Sequence, residues 1–95
     1  MKFDWDPIKA ATNLKKHKIP FELASTVFDD PLHLSVTDPD SSNEERWVTV
    51  GMAADTKILV VVHTERWIEK DIEVVRIISA RAATKKEKKA YEEGI

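Results

Sequence analysis

Apolar residues recur three and four apart near the start of the chain and two apart through its second half. The sequence therefore reads as helices followed by strands. Phe3 and Trp5 alternate with Lys2, Asp4 and Asp6, as in a short edge strand. Asp6 can then cap a helix whose first residue is Pro7, where a missing N–H costs nothing. Ile8, Ala11 and Leu14 predict one apolar stripe on that helix, ending near His17-Lys18. Phe21, Ala24, Val27 and Phe28 keep helical spacing from Pro20 until Asp29-Asp30-Pro31 stops it. Leu32 to Val36 alternates weakly, and Thr37 to Asn43 is polar with turn chemistry. Arg46–Met52, Ile58–Arg66 and Glu73–Arg81 are rich in Val and Ile and have short links, which predicts an antiparallel meander. Thr84-Lys85-Lys86-Glu87 is a capping box that opens a last helix to about Glu93. The predicted fold is α+β: one domain over residues 1–95, a small antiparallel sheet, two N-terminal helices and one C-terminal helix.

Strand alternation also predicts which side chains meet. If Val50 pairs with Val60, Arg46 lies opposite Thr64 and Glu44 opposite Arg66, while Trp47 faces His63 and Glu45 faces Glu65. Titratable groups thus gather at one end of the hairpin. Arg76 interrupts the apolar run of the third strand, and a one-residue slip moves it from one face to the other. A guanidinium there needs a partner, and Glu45, Glu65 or a bound phosphate are the candidates.

Composition narrows the classes. Ninety-five residues at 42% hydrophobic and 34% charged suit one small core. There is no cysteine for a disulfide, a thiolate metal site or a thiol nucleophile. The longest apolar run, Ile58 to Val62, is far too short to span a membrane, and the start of the chain does not resemble a signal peptide; a cytoplasmic location is expected. The net charge of −2 is uneven: residues 1–18 carry five Lys against two Asp, and residues 19–55 carry Arg46 alone against eight acids. A pI near 5.9 argues against tight non-specific binding of nucleic acid but permits a local phosphate site. The two glycines, Gly51 and Gly94, form no phosphate loop, so a nucleotide cofactor is not expected.

For Arg46, Arg66 and Arg81 taken singly, solvated strand ends are the simpler reading. Several arginines near Glu45 and His63 would nevertheless supply what phosphodiester cleavage needs, cations for developing negative charge and a proton acceptor. His17, Lys15 and Lys16 suit a helix C-terminus, and Lys15 or Lys16 could also reach a phosphate. His33 reads as a surface residue. Asp38 and Asp40 lack the spacing of a metal loop, and no metal site is expected. Trp5 and Trp47 suit a core or interface, and Trp67 is the tryptophan expected to be exposed.

Along nearly its whole length the chain resembles the BrnT family of type II toxins. The matching stretches include Phe3-Asp4-Trp5-Asp6, Asn13-Leu14-Lys15-Lys16-His17, Val27-Phe28-Asp29-Asp30-Pro31, Glu45-Arg46, Val60-Val61-Val62-His63-Thr64-Glu65-Arg66 and Arg76-Ile77-Ile78-Ser79-Ala80-Arg81. The segment Trp67 to Ile72 departs from it as a longer, more apolar link. The resemblance implies a RelE-like fold and a toxin that cuts RNA without a metal or cofactor and blocks translation. Its partner would be a BrnA-like antitoxin that binds operator DNA, in a dimer or heterotetramer. It implies Glu45, His63, Arg66, Arg76 and Arg81 as catalytic positions, with Glu45 or His63 as the base, and Lys16 and Arg46 as RNA contacts. The rival class is a non-catalytic protein-interaction module.

Overall fold

A computed structural model describes residues 1–38, 46–64 and 67–94. In chain order they form strand β1 (Lys2–Asp4), helix α1 (Pro7–His17), helix α2 (Phe21–Ser25) running into a 3₁₀ turn (Thr26–Asp29), and strands β2 (Leu34–Thr37), β3 (Arg46–Met52), β4 (Ile58–Thr64), β5 (Trp67–Glu69) and β6 (Ile72–Ala82). Helix α3 (Lys85–Glu93) follows. The strands make one sheet in the order β1-β6-β4-β3-β2, with β5 also paired to β6. The expected purely antiparallel sheet is corrected to a mixed one, because β1 runs parallel to β6. A three-residue strand carries no signal of which neighbour it will take, or in which direction.

Local chemistry sets the element ends as expected. The Asp6 carboxylate accepts from the Ile8 N–H at 2.8 Å, and Thr84 and Glu87 form the reciprocal capping box. The β3–β4 register is the predicted one: Val50 pairs with Val60, Arg46 with Thr64 and Trp47 with His63. Trp67 to Asp71 does not form a simple link. Trp67–Glu69 joins the sheet, and Lys70 and Asp71, both at positive φ, turn the chain into β6 as a two-residue hairpin loop of the type I′ kind.

Both faces of the sheet are covered. Ile19, Phe21, Ala24 and Val27 from the N-terminal helices and the turn pack on Leu59, Val61, Ile77 and Ala80. On the other face, Tyr91 of α3 and Ala83 pack with Ile58 and Val60, flanked by Val48 and Val50.

Helix α1 is oriented opposite to its apolar stripe. Ile8 is 77% and Leu14 46% exposed, whereas Asn13 is buried. The cause lies in β6. Its neighbour β1 ends opposite Arg76, so the backbone edge beyond that point would lack a ladder partner. The Asn13 side chain supplies one: its amide donates to the Ala80 carbonyl at 2.9 Å and its carbonyl accepts from the Ala80 N–H at 3.1 Å. The same amide donates to the Ile19 carbonyl at 3.1 Å. Satisfying buried backbone groups outweighs burying Ile8 and Leu14.

Candidate functional site

The decisive local feature is a bulge in β6. Val62 of β4 pairs with Ser79 but His63 pairs with Ile77, so Ile78 is an extra residue. Without it, Arg76 would share a face with Ala80. With it, Arg76, Ser79 and Arg81 all project to the face that α3 partly covers, because their β4 neighbours Val62 and Val60 lie on that face. Arg46 and Thr64, opposite one another, occupy the same face. The Arg76 N–H donates to the Thr64 hydroxyl at 3.2 Å, so Arg46, Thr64 and Arg76 form a row across three strands at one rim of the sheet.

The partner of Arg76 is Asp4, which was not among the expected candidates. Asp4 stands directly opposite on β1, and a guanidinium N–H donates to its carboxylate at 2.5 Å. Both side chains remain a little under half exposed, so the pair is accessible. The sequence did carry a signal: burial of Phe3 forces Asp4 onto the opposite face. Glu45 and Arg66, both expected to be catalytic, lie outside the described residues, as does Glu65.

His63 is placed elsewhere. It lies on the face covered by the N-terminal helices, 4% exposed, with the Phe28 ring edge-on at 4.9 Å. Its Nδ1 lies 2.7 Å from the Thr64 carbonyl, which can only accept, so Nδ1 carries the proton. In the neutral ring Nε2 then accepts from the Thr49 hydroxyl at 2.6 Å, and Thr49 accepts from Ser35 at 2.7 Å. The structure thus separates His63 from the arginine rim by the thickness of the sheet. It ties His63 into a polar chain that crosses β2, β3 and β4.

Arg81 shares the rim's face but sits five residues along β6 from Arg76, about 15 Å at strand spacing. Its guanidinium makes two hydrogen bonds to Glu87 of α3, at 2.7 and 2.8 Å. That bond first, with the Thr84 N–H second and both overcoming the opposing effect of burial, holds the Glu87 carboxyl down to about 2; Glu87 in turn raises Arg81. Arg81 is therefore brought to α3 and not to the rim.

A second tie holds the far end of α3. Tyr91 donates its phenolic hydrogen to Asp30, which also accepts from the N–H groups of Met52 and Leu32. Burial alone would raise the Asp30 carboxyl, but these donors together with His33 bring it below its usual value. Tyr91 is pushed up to about 12, chiefly by the bond to Asp30 and then by burial. The signs define a window. Depressed Glu87 contributes stability that is fully present above its ordinary value near 4.5 and lost as the pH falls through about 2, and depressed Asp30 contributes stability present above 3.8 and lost at lower pH. Raised Tyr91 contributes stability below 10 that is lost as the pH climbs to about 12. Tyr91 is the single tyrosine, so its phenolate absorbance titrates alone. The expected midpoint is about 12, and a midpoint near 10 would show that the Asp30 bond is not formed in solution.

Lys16 lies on the exposed side of α1, where Lys9, Thr12, Asn13, Lys16 and His17 face Ile78 and Ser79 of β6 across a groove of about 250 Å³. Trp67 is exposed as expected, and Trp5 packs edge-on against Phe21 at 5.9 Å. Among the described residues no group of three His, Cys, Asp or Glu side chains converges on one point, and no helix is long and apolar enough to cross a membrane.

Comparison with known proteins places the fold and the family of the chain. The fold matches the crystal structure of the Brucella abortus ribonuclease toxin BrnT with a TM-score of 0.61, covering 90% of this chain and 99% of that one at 23% identity. The two proteins share a fold. Residues 5–87 match the family described as the ribonuclease toxin, BrnT, of type II toxin-antitoxin systems. The chain belongs to this BrnT family, whose members are ribonuclease toxins with an RNA target and an antitoxin partner. No curated protein matches it significantly.

Proposed function

We propose that the protein is a RelE-like, metal-independent endoribonuclease that acts in the cytoplasm, blocks translation by cutting RNA, and is held inactive by a BrnA-like antitoxin that also binds operator DNA. The carrying observation is the row of Arg46, Thr64 and Arg76 on one accessible rim, created by the β6 bulge. Two guanidiniums on one edge can grip a phosphodiester and meet the charge that grows on its oxygens as it is attacked.

In this reading Glu45, next to Arg46 in the chain, removes the proton from the ribose 2′-hydroxyl. The 2′-oxygen bonds to phosphorus, the bond to the 5′-oxygen breaks, and that oxygen leaves by taking a proton from water, while the proton on Glu45 is later returned to solvent. The products are a 2′,3′-cyclic phosphate and a 5′-hydroxyl. Arg76 and Arg66 bear the phosphorane charge, and Arg46 and Lys16 bind neighbouring phosphates. Its burial and bonded nitrogens make His63 a positioning residue for Thr64, and Arg81 serves α3. The experiment is incubation of purified protein with RNA in excess chelator, with the fragment ends identified. Cyclic phosphate ends are expected. Intact RNA beside folded protein would favour the non-catalytic interaction module.

A further inference from the structure

We infer that the groove between α1 and β6 is a channel for the backbone phosphates of single-stranded RNA, running from the α1 lysines to the arginine rim. This rests on the ribonuclease reading above and adds where the rest of the strand lies. Four observations converge on it.

First, β1 stops opposite Arg76, so from Ile78 onward β6 is bordered by a helix instead of a strand. A groove opens where the pairing changes. Second, the Asn13 side chain seals the floor by occupying the Ala80 backbone, so the groove cannot close by adding another strand there. Third, Lys9 and Lys16 are seven residues apart, two helical turns, and therefore rise from one side of α1, with Thr12 and His17 between and beside them. Fourth, Ser79, whose hydroxyl can donate to a phosphate, lines the groove and also shares the face of Arg76, three residues away.

Ser79 in the groove and Arg76 on the rim lie about 10 Å apart along β6 at strand spacing, a step of one or two nucleotides from one to the other. Ile8 and Ile78 add apolar wall against which a base or ribose can rest. That also explains an α1 that leaves Ile8 outside the core. The chain as a whole is acidic, so this local cationic track supplies an attraction that net charge does not.

The test uses a fluorescent ten-nucleotide single strand, 2′-O-methylated so that it cannot be cleaved, and reads its affinity at several salt concentrations. Lys9→Gln should weaken binding about three- to fivefold, and the Lys9→Gln/Lys16→Gln double variant about tenfold or more, with the slope of log affinity against log salt falling by about 0.7 per lysine. Both lysines are exposed on α1, and unchanged melting curves verify the fold. Lys57→Gln, at the opposite end of the strands, removes the same charge and should bind as the wild type does. Wild-type affinity and slope in the double variant, or equal weakening by Lys57→Gln, would overturn the channel. Cleavage of the unmethylated strand by the wild type is measured alongside. Lysine-dependent binding without cleavage would sink the nuclease and keep the channel, whereas cleavage with lysine-independent binding would do the reverse.

Discussion

Arg76→Ala should lower kcat/KM for RNA cleavage by about 100-fold or more and change the melting temperature very little. The two effects separate because the Arg76–Asp4 pair is partly exposed. Solvent screens such a pair, and its net worth to folding is about 0–1 kcal/mol. A phosphorane held at the same guanidinium has no comparable solvation, so the cation matters far more in the transition state. Arg76→Lys should recover only part of the loss, since an ammonium keeps the charge without the forked donors. Asp4→Asn tests the same site from the other side: with Arg76 no longer compensated, RNA should bind more tightly. If Arg76→Ala cleaves at the wild-type rate, the rim is not where the chemistry happens.

Asn13→Ala should be among the most damaging single changes to stability, costing about 2–4 kcal/mol, or about 10–20 °C in melting temperature. One side chain makes three hydrogen bonds to buried backbone, to both polar groups of Ala80 and to the Ile19 carbonyl. Truncation strands all three partners where water does not reach, and an unpaired buried group costs more than a typical hydrogen bond contributes. Asn13→Asp retains the acceptor for the Ala80 N–H but turns its other oxygen toward the Ala80 and Ile19 carbonyls, and should be at least as harmful. Urea unfolding of both variants decides the matter, and a loss under 1 kcal/mol would mean that α1 does not depend on this anchor.

How much of this could be read from the residues alone follows from how local each determinant is. The caps at Asp6 and Thr84 are written within four residues and were legible. So was the β3–β4 register, because two Val-rich runs joined by a short turn have one alignment that buries both. The bulge at Ile78 was not legible, since both Ile77 and Ile78 are apolar and either could continue the alternation. The face of Arg76 therefore stayed undecided. The outward stripe of α1 was misread because Asn13 looks like a surface residue until the bare edge of β6 is known to lie beside it. The surroundings of His63 were not legible for a related reason: the sequence placed it opposite Trp47, as found, but could not show Phe28 lying over it.

The salt bridge at the rim joins residues 72 apart, one in the first strand and one in the sixth. Contacts of that span form late, after the intervening loop entropy has been overcome. During synthesis Asp4 therefore emerges long before its partner, and a nascent chain still short of Arg76 has no rim at all.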